Sequence, residues 1–168
     1  MGRFGLFHPG VSRAKSFFRY WLPVGLWMAL QFTASTDLGS SRGTSRLIGP
    51  VVRWLCPSLS EEQVDLAIFL VRKTAHLTEY AILGILIWRA LRKPVKGETR
   101  PWDWRLTGWA VLWAGLYAAS DEFHQSFVPS RMGSIWDVLL DTSGAIAGMA
   151  ALWLWYGCRR RLGTTAPS

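Results

Sequence analysis

Apolar residues gather into four stretches separated by polar connections: Phe17 to Ala34, Leu66 to Leu91, Trp104 to Ser120 and Ile135 to Tyr156. Each is close to the roughly 17 to 25 residues that an α-helix needs to cross a bilayer core. The pattern predicts an all-α, polytopic membrane protein with four transmembrane helices. The last stretch fits best, because it is apolar after Asp141 and ends in Trp153, Trp155 and Tyr156, followed by Arg159, Arg160 and Arg161. Aromatic residues and then arginines are the expected sequence at a membrane edge. The first stretch is strictly apolar only from Trp21, so Arg19 must snorkel, and Pro23 is expected in an early turn where proline is tolerated. The second carries Arg72, Lys73, His76 and Glu79 in its first half and can span only if those groups face protein.

The connections differ in kind. Ser35 to Asp65 is expected to be a loop, rich in Ser, Gly and Thr, whose apolar part from Leu47 to Leu55 lies on the outer membrane surface. Ser60 followed by Glu61, Glu62 and Gln63 is a helix N-cap with an acidic first turn, so the second helix is expected to start ahead of the bilayer. Arg92 to Trp104 is a plain connector, and Pro129 and Gly133 break the chain between the third and fourth helices. The layout is a basic tail at 1–16, one membrane domain at 17–156 and a second basic tail at 157–168.

Charge adds orientation. The 168 residues include 19 Lys and Arg against 11 Asp and Glu. Because cytoplasmic loops retain basic residues, an N-in/C-in arrangement is expected: it puts thirteen basic and two acidic residues inside, and six basic and nine acidic residues outside. The basic balance thus reports topology and contact with anionic lipid. Nucleic acid is excluded as a partner, since no basic stripe is interleaved with aromatics on a soluble face. Cys56 falls outside and Cys158 inside, so they cannot pair with each other. The first stretch also resembles a signal peptide in its basic flank, but no small-x-small cleavage site follows it, and it is expected to remain a span.

Three polar groupings could carry chemistry. Arg72, Lys73, His76, Glu79 and Tyr80 form a stripe at helical spacing on the second helix. Asp121, Glu122, His124 and Gln125 close the third helix, followed by Pro129 and Arg131. Carboxylates at a helix C-terminus oppose the macrodipole, so a cation is expected to compensate them, with Arg72, Lys73 and Arg131 the candidates. Asp137, Asp141, Gly144 and Gly148 share one face of the last helix. The glycine pair, with Ala145, Ala147 and Ala151 around it, is a small-xxx-small surface that would press Asp141 against a neighbouring helix. In the expected topology all three groupings reach the same, outer side. A charge at a helix centre costs about 2.5 to 3.5 kcal/mol, so the groups are expected to meet and pair. Glu79, Glu122 and Asp141 are then expected to act as one unit with Arg72 or Lys73.

These same stretches resemble the VanZ-like family of bacterial membrane proteins. The resemblance rests on Arg72-Lys73-Thr74-Ala75-His76-Leu77-Thr78-Glu79-Tyr80, on Ser120-Asp121-Glu122-Phe123-His124-Gln125 continuing through Val128-Pro129-Ser130-Arg131, and on Asp137 to Asp141 with Gly144 and Gly148. It covers about Phe17 to Tyr156. It implies a multi-pass protein of the bacterial cytoplasmic membrane and an association with low-level resistance to the lipoglycopeptide teicoplanin.

Three functions fit the residues. In the first, an outer-leaflet pocket binds a lipid or glycolipid headgroup, with Arg72, Lys73 and Arg131 on phosphate and Glu79, Glu122 and Asp141 orienting it. Membrane lipids and a lipid-linked envelope component are the implied partners. The second is a metal-assisted hydrolase or transferase on a lipid-linked substrate, with His76, Glu79, Glu122, His124 and Asp137 as candidate ligands. The third is a proton-coupled transporter relaying through Glu79 and Asp141. The sequence specifies no cofactor and no oligomeric state.

Overall fold

The computed structural model describes residues 13–34, 41–94, 100–127 and 133–163. These residues are all helical or connecting, in the order α1 (Arg13–Ala34), α2 (Ser41–Leu55), α3 (Glu61–Arg92), α4 (Trp104–Gln125) and α5 (Ile135–Gly163). The all-α expectation holds, with one helix more than the four apolar stretches.

Local chemistry sets the helix boundaries. Ser60 caps α3 through a complete capping box: its hydroxyl accepts from the Gln63 amide and the Gln63 side chain accepts from the Ser60 amide at 2.9 Å. α3 ends at Lys93, whose φ of 49° is the left-handed conformation that stops a helix. Asp103 caps α4 by accepting from the amides of Arg105 and Leu106. The Ser134 hydroxyl accepts from the Trp136 amide at the start of α5.

Two expectations change. α1 begins at Arg13, so Pro23 lies mid-helix rather than in an early turn. The stretch from Ser41 to Leu55, expected as a loop, is helix despite Gly43, Gly49 and Pro50. It runs back along the start of α3: a Cβ on Gly49 would lie 3.8 Å from Ile68, and Arg53 forms a two-pronged ion pair with Glu61. Packing and this pair override the weak helix propensity of its composition.

The interior is built from small residues and rings. Ala110, Ala114 and Ala118 form a ladder at four-residue spacing on α4, fully buried against Tyr80, Leu83 and Ile87 of α3 and Ala145 and Met149 of α5. Among the described residues, α1 adds the buried Tyr20 and Val24, with Trp21, Trp27 and Met28 packed partly buried against the same core. Many large aliphatic side chains point outward instead, among them Leu22, Leu26, Leu112, Leu116, Leu139 and Leu154. One helical segment among the described residues, Ile135–Arg159, is long and apolar enough to cross a membrane by length and composition.

The bundle has two distinct ends. One, the polar end, gathers the start of α3, the end of α4 and the start of α5. The opposite, arginine end gathers the end of α3 and the starts of α1 and α4.

Candidate functional site

The site is assembled by backbone contact between α3 and α5. A Cβ on Gly144 would fall on the Leu77 carbonyl oxygen, and one on Gly148 would stand 2.6 Å from the carbonyl oxygen of Ala81. Gly84 faces Ala145 from the other helix. Only hydrogen in place of a side chain permits this approach. Asp141, one turn before Gly144, is thereby pressed onto α3 beside His76, and only 1% of it is exposed.

Two side-chain pairs cross the same interface. Lys73 Nζ meets Asp137 Oδ1, each side chain about a quarter exposed (24% and 29%). One turn deeper, His76 Nδ1 stands 3.6 Å from Asp141 Oδ1. That separation is too long for a hydrogen bond, and neither oxygen of Asp141 has a hydrogen-bond partner among the described residues. Tyr80 is in the same position: its side chain is 1% exposed and its hydroxyl has no partner.

α4 supplies the third wall. Asp121, Glu122 and Gln125 are all buried there. Gln125 donates to Asp121 Oδ2 at 2.9 Å, and Glu122 accepts from the Ser134 amide at 2.9 Å, tying the end of α4 to the start of α5. Gly133 makes that junction possible, since a Cβ there would be 2.5 Å from the Glu122 carbonyl oxygen. Lys73, His76, Tyr80, Asp121, Glu122, Gln125, Asp137 and Asp141 therefore line one polar end.

Other candidates lie elsewhere. Glu79 lines an open cleft with Trp27, Thr74 and Thr78, on the flank of α3 that meets α1. His124 packs on the Phe32 ring at 4.7 Å. Arg72 is half-buried, its Nε enclosed without a hydrogen-bond partner among the described residues. Arg131 lies outside the described residues. The expected single unit of Glu79, Glu122 and Asp141 is thus divided, because α3 turns Glu79 towards α1 while His76 and Tyr80 face α5. The candidate metal ligands His76, Glu79, Glu122, His124 and Asp137 are dispersed for the same reason. Among the described residues, no three His, Cys, Asp or Glu side chains are grouped to hold a metal ion.

The sequence reading passed over two groups that matter to the geometry. Tyr117 donates to the Met28 carbonyl at 2.7 Å and lays its ring near Tyr80, centroids 6.2 Å apart. Arg92, counted only as a cytoplasmic charge, is buried and donates to the carbonyls of Arg100 and Pro101 at 3.0 and 2.9 Å. An aromatic residue or an arginine within an apolar stretch carries no sequence signal for a partner far along the chain.

Neither a curated protein nor a solved structure matches the chain. The family model described as VanZ/LLP1 matches residues 18–156, a span that holds most of α1, all of α2 to α4, α5 as far as Tyr156 and every residue of the polar end. The chain belongs to the VanZ/LLP1 family.

Proposed function

We propose that the protein crosses the bacterial cytoplasmic membrane four times, through α1, α3, α4 and α5, with 1–16 and 157–168 inside, and that its polar end binds the headgroup of an envelope lipid or glycolipid at the outer face. The basic residues support the orientation, since the arginine end collects most of them. The outward-facing Leu, Phe and Trp side chains support immersion in lipid. α3 has 32 residues, about 48 Å of helix against a hydrocarbon core of about 30 Å, so its first turns, with α2 beside them, project beyond the membrane.

The observation that carries the headgroup reading is the pair Tyr80 and Asp141. Both are buried, and their polar atoms have no hydrogen-bond partner among the described residues. A buried polar atom without a partner costs about 1 to 3 kcal/mol. A headgroup bearing hydroxyl or amine hydrogens satisfies both, while Lys73 at the rim meets phosphate. Mass spectrometry of lipid co-purified in mild detergent tests this. One headgroup class should be enriched over the membrane average and lost in Tyr80→Phe and Asp141→Asn; average composition in all three proteins would refute it. The link to teicoplanin is tested separately, by whether unmodified protein, but not Tyr80→Phe, raises the inhibitory concentration in a deletion strain. Reporter fusions at Thr164 and in the Ser35 to Ser45 segment should report opposite sides; a common side removes the four-span arrangement.

A further inference from the structure

α1 is attached unevenly. Along α3 it is held at both ends: Trp27 Nε1 donates to the Glu79 carbonyl at 3.0 Å, Tyr20 donates to the Pro94 carbonyl at 2.9 Å, and the Arg89 guanidinium lies over the Tyr20 ring. Against α4 it touches near the polar end, through the Tyr117 hydroxyl on Met28 and the Phe32 ring on His124. Below those contacts the two helices part around a cleft of about 460 Å³, floored by Ile87, with Trp21, Val24 and Met28 on one wall and Trp113, Leu116 and Tyr117 on the other.

The lining decides what can enter. The two polar side chains bordering the cleft are engaged within the protein: Tyr117 donates to Met28, and Ser120, at the upper end, donates to the Tyr117 carbonyl at 2.7 Å. Their protons are therefore spent within the protein, the rest of the lining is aliphatic and aromatic, with polar hydrogens only on the Trp21 and Trp113 indoles, and the surface suits a hydrocarbon occupant. Both walls run eight residues, Trp21 to Met28 and Trp113 to Ser120, or about 10 Å of helix from end to end. The volume lies within the roughly 300 to 1,000 Å³ range of ligand sites. The upper end is continuous with the polar end, because Ser120 precedes Asp121 and the Tyr117 ring packs near Tyr80.

We propose that the α1–α4 cleft holds the hydrocarbon chain of the amphiphile whose headgroup is bound at the polar end, so that one ligand is gripped by its chain below the Tyr80–Tyr117 ring pair and by its head above it. The assignment rests on the headgroup reading. A lipid chain reaches the cleft sideways, as Trp113 and Leu116 are about half exposed on its outer lip.

The test uses the full chain in phosphatidylglycerol nanodiscs doped with phosphatidylethanolamine carrying a photoactivatable diazirine in its acyl chain. Cross-linked peptides are mapped by mass spectrometry. Leu22, Leu26 and Leu112 face outward beside the cleft and report ordinary boundary lipid. Labelling at Val24, Met28, Leu116 and Tyr117 should exceed labelling at those three several-fold and should saturate at low probe fraction. Labelling that follows exposure alone overturns the cleft. Leu116→Trp, which fills it, should abolish the excess; the map of the unmodified protein decides the question if that variant does not fold. Excess labelling in the cleft that Tyr80→Phe leaves unchanged, without enrichment of any co-purified headgroup class, keeps a chain site and removes the headgroup reading. Headgroup enrichment with exposure-driven labelling does the reverse.

Discussion

Buried polar groups occur at both ends of the bundle, but they are treated differently. At the arginine end, Arg92 is enclosed by acceptors and rings: it donates to the carbonyls of Arg100 and Pro101, reaches the Tyr156 hydroxyl at 3.4 Å, and lies over the faces of Trp88 and Tyr156. Arg100 returns a bond to the Arg92 carbonyl, and Tyr156 donates to the Arg100 carbonyl. At the polar end, Asp141 and Tyr80 are equally buried, yet their polar atoms lack hydrogen bonds among the described residues. The satisfied Arg92 guanidinium fastens the α3–α4 connection to α5, while the Trp88 and Trp102 indole nitrogens beside it are buried without a hydrogen-bond partner among the described residues. At the polar end it is a carboxyl and a phenol that go unsatisfied, and such groups spend stability on something else, which is a usual mark of a functional site.

Both ends hang on the same α3–α5 contact, so the largest effect comes from spoiling it. Gly148→Leu drives a side chain into the Ala81 carbonyl, which is backbone and cannot step aside. Overpacking costs typically 1 to 3 kcal/mol, and a backbone clash lies at or beyond the top of that range, about 3 kcal/mol or more. Thermal unfolding in detergent should show the variant unfolding well below the unmodified protein, with both ends lost together. Survival of either end alone would mean the ends are held independently.

Arg92→Met comes next and acts on one end. It leaves the carbonyls of Arg100 and Pro101 without their charged donor, and hydrogen bonds to charged groups contribute about 1.5 to 3 kcal/mol each. Stability should fall by about 3 kcal/mol while the lipid co-purified with the folded fraction stays the same. Tyr80→Phe inverts that outcome. Removing a buried hydroxyl that has no partner should leave stability unchanged or raise it by about 1 kcal/mol, and the enriched headgroup should disappear. A clear loss of stability in Tyr80→Phe would show that its hydroxyl is paired within the protein, and the contrast between the ends would fail.

Much of the fold was legible because helical periodicity is a local signal. Ser60 with Gln63, and the spacing of Asp141, Gly144 and Gly148, could be placed on a helix and a face from neighbouring residues alone. The partner across an interface is not local. Periodicity put Lys73, His76 and Glu79 on one stripe but could not say that the stripe straddles a boundary, with Lys73 and His76 on α5 and Glu79 towards α1. α2 was missed because Gly43, Gly49 and Pro50 are loop signals, and what makes it helical is its seat on Ile68 and its pairing with Glu61, both set by tertiary contact. Arg92 shows the same limit in reverse: a residue that counts towards topology by its charge is also buried by its surroundings.

The expected link between Glu122 and Lys73 is replaced by Lys73 with Asp137, since Glu122 is engaged by the Ser134 amide. A double-mutant cycle of Lys73→Met with Asp137→Asn should give coupling of about 0.5 to 1 kcal/mol, modest because both side chains meet solvent. The same cycle with Glu122→Gln should be closer to additive. Equal coupling in the two cycles would mean that the polar end acts as one undivided network, much as the arginine end does.

The smallest effect concerns the clasp that holds α2 beside the polar end. Hydrogen bonding from the Arg53 guanidinium, and then its charge, holds the Glu61 carboxyl below its ordinary value, and the same partner raises Arg53. A carboxyl lowered in the folded state contributes stability that is present above its unfolded pKa and lost as pH falls through the folded one. α2 should therefore loosen from α3 in acid, while the bonds from Arg92 to the Arg100 and Pro101 carbonyls, which do not titrate, hold the arginine end at the same pH. Both side chains are well exposed, so the effect is confined to local opening and does not reach global stability. Hydrogen exchange of the α2 amides can be compared between Glu61→Gln and unmodified protein at each pH, which cancels the intrinsic pH dependence of exchange. The variant should exchange faster near neutrality, and the ratio should approach unity in acid, where the unmodified Glu61 is also uncharged. A ratio of unity at every pH would show that α2 is held by its seat on Ile68 alone, leaving the projecting part of the polar end without a charge-dependent contact.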